Sequence, residues 1–351
     1  MRFANTDEHQ TLRAEARRFL SERATLRAQI GMLGAHDPAL WQELASLGWL
    51  GTLIPEEFGG HGLGFTELAI LLEECGRALL PGPLLSSVIG GGLHVDLCGT
   101  DEQRARILPR IADGSWIVGF TDGEGLAIDG DHVRGEFDYV HMAGVADALV
   151  IGHGDQPPVL LTRDAFVAEP MEWVDLTRPR FHVRFDGTGE RMARNADAAW
   201  TVRATVAAAA ESAGAAAGAL HIAVEHAKQR EQFGKPIGSF QAIKHKAADM
   251  LRAVEAAHLA VAYAAYAIDA GAADVAVAAA TAKALASDAL LLCATENIQI
   301  HGGIGFTFEH DAHLYYRRAL SAHRMFGTPE SHREAVARAL LDGDAFTERG
   351  A

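Results

Sequence analysis

The chain has 351 residues, 49% hydrophobic and 22% charged. This is enough for two or three domains with a large buried core, in a composition ordinary for a globular protein. A formal net charge of −15 argues against nucleic acid and anionic membrane as non-specific partners, though a local arginine site could still take a nucleotide. Three scattered cysteines, Cys75, Cys98 and Cys293, form no CxxC pair, so neither a disulfide framework nor a thiolate zinc site is indicated.

Met1 to Arg18 mixes acids and bases without an apolar segment, which is not a signal peptide. No uncharged apolar run reaches the length of a membrane span, and a cytoplasmic protein is expected. Thr6–Leu33 has helical periodicity with charges on one face. Asp37-Pro38 reads as a helix start, cap then first turn, for a helix through Leu40, Leu44 and Leu47 that stops near Gly48. A glycine- and proline-rich loop, Ile54–Gly62, follows. Amphipathic helices are expected at Phe65–Leu79, Ser86–Leu97 and Asp101–Ile111.

From Gly114 to about Gly189 the texture changes to short β-prone runs separated by Gly, Asp and Pro: Ile117-Val118, Val140, Ala148–Ile151, Val159–Leu161 and Phe181–Phe185. They predict a small sheet or barrel. Beyond Ala196 the chain is alanine-rich and helical, with helices over Val202–Gln229, Ala242–Ala270 and Asp274–His301, then Ala312–Arg324 and Pro329–Leu341. Small side chains suit close helix packing in a bundle.

Between two of these helices lies Arg230-Glu-Gln-Phe-Gly-Lys-Pro-Ile-Gly-Ser-Phe-Gln241. Gly234 and Pro236 stop the arriving helix, and Gly238-Ser239 are read as the cap of the next. Arg230 alone would be a cation at a helix C-terminus, favoured by the dipole. With Phe233 and Phe240 beside it, its guanidinium could fork onto a pyrophosphate while the rings offer surfaces to an adenine. Gln299-Ile-His-Gly-Gly-Ile-Gly-Phe306 adds an amide and glycines that permit close backbone approach. Histidines recur, with His310 and His313 three apart and His221 and His226 five apart. No Cys or carboxylate completes a metal-ligand set with either pair, so solvent-facing or hydrogen-bonded roles are the expectation.

These two segments resemble the C-terminal signature of the acyl-CoA dehydrogenase family, flavoenzymes that desaturate acyl thioesters. Trp41…Leu47-Gly48-Trp49…Pro55-Glu56-Glu57-Phe58-Gly59-Gly60 and Leu108-Pro109…Ala112-Asp113-Gly114 resemble its N-terminal helical domain. The resemblance implies a mostly α fold with a small β domain: an N-terminal helical domain at 1–113, a middle β-barrel or sheet domain at 114–190 and a C-terminal four-helix bundle at 195–351. It implies FAD as cofactor, with Arg230, Gln232, Phe233, Ile237, Phe240, Gln299, Gly302 and Gly303 binding its ADP half across a subunit interface. Thr121 and Thr328 complete the implied set.

The family's catalytic base stands at one of two positions. In this sequence Phe326, within Met325-Phe326-Gly327-Thr328, occupies one and Ala204 the other, and neither side chain accepts a proton. Glu211 lies two helical turns beyond Ala204, about 10 Å along the same direction, alone in an apolar stretch. It is either buried with a partner or a candidate base whose carboxyl is raised by desolvation. The middle domain departs too. Phe120-Thr121-Asp122-Gly123-Glu124-Gly125 keeps the threonine but not the family's Gly-Ser-Asp turn, and Tyr139-Val140-His141 puts histidine where a threonine faces the flavin. Three readings stay open. One is the supporting subunit of an α₂β₂ hetero-oligomer with a second acyl-CoA dehydrogenase subunit, acting on acyl-CoA with an electron-transfer flavoprotein as acceptor. The second is a homo-oligomer that uses Glu211 or an unrecognised base. The third is a CoA-ester-binding member without redox turnover.

Overall fold

The computed structural model describes residues 6–23, 36–123 and 125–341. The expected continuation of the first helix to Leu33 and Glu124 of the glycine-rich loop fall outside the described residues. The fold is mostly helical with a small sheet region, and the chain folds as two compact units. One comprises residues 1–24, 65–80 and 205–351, the other 25–64 and 81–204.

In the second unit, helix α2 (Pro38–Ser46) starts as the sequence predicts: the Asp37 carboxylate accepts from the Ala39 and Leu40 amides at 2.9 and 3.2 Å, with Pro38 in the first turn. Thr100 and Gln103 close a reciprocal capping box on α5 (Asp101–Ala112). The segment expected as a helix at Ser86–Leu97 begins instead as a π-helix, Leu85–Gly92, and becomes helix α4 only at Leu93–Cys98. The cause is steric. A Cβ on Gly91 would lie 2.3 Å from the Val118 carbonyl oxygen, so the glycines let this wide turn press against strand β1 (Val118–Thr121).

Two four-stranded sheets follow, in the orders β1-β4-β5-β8 and β2-β3-β7-β6. The first contains β4 (Ala148–His153), parallel to β1, with β5 (Gln156–Thr162) and β8 (Glu190–Arg191). The second contains β2 (Ala127–Asp129), β3 (His132–His141), β6 (Val167–Met171) and β7 (Arg180–Thr188), all antiparallel. Alternate residues of β4 serve different cores. Leu149 and Ile151 pack with Phe137, Phe181 and Val183 of the other sheet, while Ala148 and Val150 pack with Val95, Ile107 and Ile111 of the helices. Burial on both faces explains why these strands read as unbroken apolar runs.

The first unit is a bundle of α1 (Asp7–Arg23), α3 (Phe65–Arg77), the later part of α6 (Asp197–Gln229), α7 (Gln241–Asp269), α8 (Val275–His301), α9 (Ala312–His323) and α10 (Pro329–Leu341). Helices α3 and α6 cross at two glycines. A Cβ on Gly76 would sit 1.9 Å from the Glu211 carbonyl oxygen, and one on Gly214 would sit 1.8 Å from that of Glu73. Asp269 leaves the end of α7 to accept from the Phe65 and Thr66 amides at 2.6 and 2.9 Å, capping α3. Helices α6 and α8 are long and apolar enough to cross a membrane, but 78% and 56% of those windows are buried inside the protein, as bundle-core helices are.

One local expectation fails. Gly238-Ser239 do not cap α7. They belong to a 3-10 turn, Ile237–Ser239, and Phe240 holds the cap position without a side-chain bond. The Phe240 amide instead donates to the Ile237 carbonyl at 3.1 Å, which closes that turn.

Candidate cofactor-binding site

Helix α6 ends at Gln229, and the Arg230 amide still donates to the His226 carbonyl at 2.8 Å. The chain then folds into a minimal hairpin, Glu231-Gln232 paired with Lys235-Pro236. Its loop residues, Phe233 and Gly234, have φ of 55° and 77°, the two positive angles of a type I′ turn. Glycine takes that conformation freely; phenylalanine does so at a cost of about 1 kcal/mol. The ring so presented is 92% exposed. It meets Phe240 edge-on at 6.2 Å, and Lys235 Nζ lies 4.5 Å above the Phe240 ring. Ile237 closes the loop by donating its amide to the Arg230 carbonyl at 2.8 Å. The Gln232 amide caps only its neighbour's carbonyl, 2.9 Å. Arg230 itself is exposed and makes no side-chain hydrogen bond or ion pair among the described residues.

The second motif closes α8. Gln299 is exposed, and Gly302 takes φ 68° and ψ −143°, a backbone state essentially reserved for glycine. A Cβ on Gly302 or Gly303 would meet nothing within 4 Å, so the backbone there can be approached closely. The two motifs are joined by a row of imidazoles packed at a tilt. The His226 and His301 ring centroids are 4.1 Å apart, and those of His301 and His310 are 4.2 Å apart. Beside this column is a cavity of about 230 Å³ lined by His221, Ile222, Glu225, His226, Gln229, His301 and His310. Burial lowers the His301 pKa to about 4 and depresses that of His226 as well. No three His, Cys, Asp or Glu groups among the described residues are arranged to hold a metal ion. In the sequence these histidines stand out only as spaced pairs, because His226, His301 and His310 lie on three different elements.

The remaining expected residues lie elsewhere. Glu211 is 6% exposed, and its carboxylate is 3.3 Å from the guanidinium of Arg318, itself 1% exposed. Ala204 is fully buried. Phe326 is half-buried with φ 56°, and its carbonyl accepts from His332 Nε2 at 2.8 Å. The Thr328 hydroxyl accepts from the Ser331 amide at 3.3 Å at the start of α10, an N-cap contact. Thr121 ends β1 in the other unit, half-buried, its hydroxyl 3.4 Å from the Asp122 carbonyl.

Two family descriptions match the chain: "Acyl-CoA dehydrogenase, N-terminal domain" over residues 6–115 and "Acyl-CoA dehydrogenase, C-terminal domain" over residues 201–341. Among characterised proteins, acyl-CoA dehydrogenase IpdE2 of Mycobacterium tuberculosis is 36% identical over 337 residues, 95% of this chain and 96% of that protein. Among solved structures, the Tcur3481-Tcur3483 steroid ACAD G363A variant superposes with a TM-score of 0.87 at 30% identity, covering 97% of this chain and 99% of the other. The ChsE4-ChsE5 complex from Mycobacterium tuberculosis shares the fold, with a TM-score of 0.89 at 24% identity over 100% of both chains. The chain is therefore a member of the acyl-CoA dehydrogenase family, oxidoreductases that act on CH–CH bonds.

Proposed function

We propose that this chain is the supporting subunit of a heteromeric acyl-CoA dehydrogenase. It lends its Arg230 hairpin to the ADP half of FAD, while a second family member supplies the proton-abstracting base. The observation that carries the reading is a contrast within the chain. Arg230 is exposed and uncommitted, with open glycine backbone at Gly302-Gly303, whereas the two family base positions hold Phe326 and Ala204, and Glu211 is engaged by Arg318.

The residues present suit the ADP group. A free guanidinium forks onto a pyrophosphate, and a backbone without Cβ leaves room for close approach. Arg230, Gln232, Phe233, Ile237, Phe240, Gln299, Gly302 and Gly303 would hold that end; Thr121 and Thr328 are assigned to the flavin end. When bound, FAD supplies the hydride acceptor for α,β-desaturation. This chain's residues bind and orient the cofactor and shape the acyl-CoA pocket. The partner is a second acyl-CoA dehydrogenase subunit in an α₂β₂ assembly, the acceptor an electron-transfer flavoprotein and the compartment the cytoplasm, with domains at 1–113, 114–190 and 195–351. Likeness to a steroid ACAD whose name joins two components supports the heteromeric form and a bulky acyl group.

The test is flavin content. We expect the chain purified alone to carry no flavin, and about one FAD per pair to appear on co-expression with a family member encoded beside it. One FAD per chain in the isolated protein, bleached by acyl-CoA, would instead make it an active homomer.

A further inference from the structure

Helix α3 ends on a cation that the bundle does not use. Arg77 is half-buried, and its guanidinium makes no hydrogen bond or ion pair among the described residues. Burial, and then the nearby Arg17, push its pKa down, as happens to a positive charge held with too little counter-charge. Burial and then Arg77 likewise lower the pKa of His221 on α6. The helix dipole favours a cation at a C-terminus, which accounts for the charge and not for the cavity in front of it. Desolvated guanidinium groups are normally paired, because a charge taken out of water alone is costly.

That cavity, of about 200 Å³, opens beside Arg77 between α1, α3, α6 and α7. Its other charges are already matched. Glu74, 2% exposed, accepts from Arg17 Nε and Nη2 at 2.9 and 2.8 Å and from Arg13 at 3.1 Å. Glu73, 4% exposed, is 2.6 Å from Arg13 and 2.8 Å from His258 Nδ1. Two arginines and a histidine thus serve these two carboxylates, and Arg77 is left over. Glu255 lies at the rim and is exposed, where water and salt screen it. The floor is apolar and shallow, made by Ala213, Gly214 and Ala217 of α6 with Val254 of α7. An occupant therefore meets one guanidinium fork and a short hydrocarbon surface. The fork matches a carboxylate bidentately. A phosphate dianion would bring a second negative charge beside Glu73 and Glu74 while Arg13 and Arg17 stay committed to them, so a monoanion fits better.

We propose that this cavity binds a short-chain aliphatic carboxylate, whose oxygens accept from the Arg77 guanidinium while its alkyl stem lies on Ala213, Ala217 and Val254. Three small residues and one valine suit a stem of a few carbons. The site is separate from the Arg230 hairpin, which lies about 20 Å further along α6. It stands whether or not the chain is a supporting subunit.

The experiment is equilibrium dialysis of the full chain against radiolabelled butyrate. We expect a saturable site of millimolar affinity, the strength of a single fork and a short stem. Butyramide, which keeps the stem and loses the charge, is expected not to bind, and inorganic phosphate to compete about tenfold less well. Arg77→Gln should weaken butyrate binding about tenfold or more, and Glu255→Gln, which removes the rim carboxylate, should strengthen it about twofold. Neither side chain gives up a hydrogen bond or ion pair among the described residues, so both variants are expected to melt with the wild type. Ala217→Leu, which fills the floor and leaves Arg77 in place, should block butyrate as well. The co-expressed pair supplies the last arm. Butyrate binding retained in the pair, with FAD loading unchanged in Arg77→Gln, supports a small-molecule site distinct from the cofactor's. Loss of the site on pairing would overturn the proposal and give Arg77 to a carboxylate of the partner subunit. No saturation by about 20 mM butyrate, equal binding of butyramide, tighter binding of phosphate, or unchanged affinity in Arg77→Gln would each overturn it too. Butyrate binding to the full chain without any flavin-loaded pair would sink the supporting-subunit reading and leave this site standing.

Discussion

Glu211 and Arg318 face each other at 3.3 Å inside the bundle, 6% and 1% exposed. A charge pair so buried is costly to break, because the survivor keeps its desolvation penalty and loses this counter-charge. Glu211→Gln is expected to destabilise the chain by about 3–5 kcal/mol, and Glu211→Gln with Arg318→Met to recover much of that. Urea unfolding of the three proteins measures it. A Glu211→Gln protein of unchanged stability whose loaded complex has lost turnover would return Glu211 to the role of base.

Arg230 supplies the opposite case. Its guanidinium has no partner among the described residues and is exposed, so Arg230→Gln is expected to change stability by no more than about 0.5 kcal/mol. The same substitution removes a charged fork from a pyrophosphate, and FAD retained by the co-expressed pair should fall about tenfold or more. Equilibrium dialysis against free FAD, with the melting temperature as a control, checks both halves. Full retention would exclude Arg230 from the cofactor site.

Much of this is legible in the sequence because it depends on local rules. The Asp37-Pro38 start, the paired glycines ending α8 and the β-prone runs of 117–185 all follow from capping, backbone freedom and apolar patterning. What is illegible depends on distant partners. Nothing near Glu211 announces Arg318 on α9, and nothing near His226 announces His301 and His310. The π-helix at Leu85–Gly92 exists because β1 presses on Gly91, a contact the local sequence does not encode. Ser239 misleads because a cap signal is local, while the preceding hairpin has already fixed the path of the chain.

Gly214 tests the helix crossing. A methyl group there would lie 1.8 Å from the Glu73 carbonyl oxygen, a backbone atom that cannot rotate away. Gly214→Ala should therefore force α3 from α6 and cost about 3 kcal/mol or more. Gly303→Ala, where a Cβ meets nothing within 4 Å, should cost far less in the same urea titration. Equal effects would show that the crossing is pliable.

Phe233 sets stability against function. At φ 55° it occupies a conformation that asparagine adopts with less strain, and its exposed ring buries little. Phe233→Asn is expected to stabilise the isolated chain by about 0.5–1 kcal/mol while weakening assembly of the pair, which loses a 92% exposed aromatic from its docking surface. Thermal unfolding and analytical ultracentrifugation measure the two effects. A variant that is both more stable and equally well assembled would show that the ring is not part of the interface.

His94 contributes to the acid limb of stability. It is fully buried, its Nδ1–H donates to the Gly90 carbonyl at 2.6 Å, and its ring stacks on Phe120 at 4.6 Å and meets Trp200 at a tilt, 4.1 Å away. Asp197 approaches Nε2 only to 4.0 Å, too far to hold a proton there. Burial therefore lowers its pKa to about 4, against about 6.5 in an unfolded chain. Between those values the unfolded state binds a proton that the folded state does not, so the His94 contribution is complete above about 6.5 and declines as pH falls towards 4. The decline amounts to about 3 kcal/mol at its limit. His94→Phe keeps an aromatic in the stack and removes the titration. Urea-derived stability of the variant should fall less steeply than wild type between pH 6.5 and about 4; parallel slopes would mean that His94 takes up its proton while the chain remains folded.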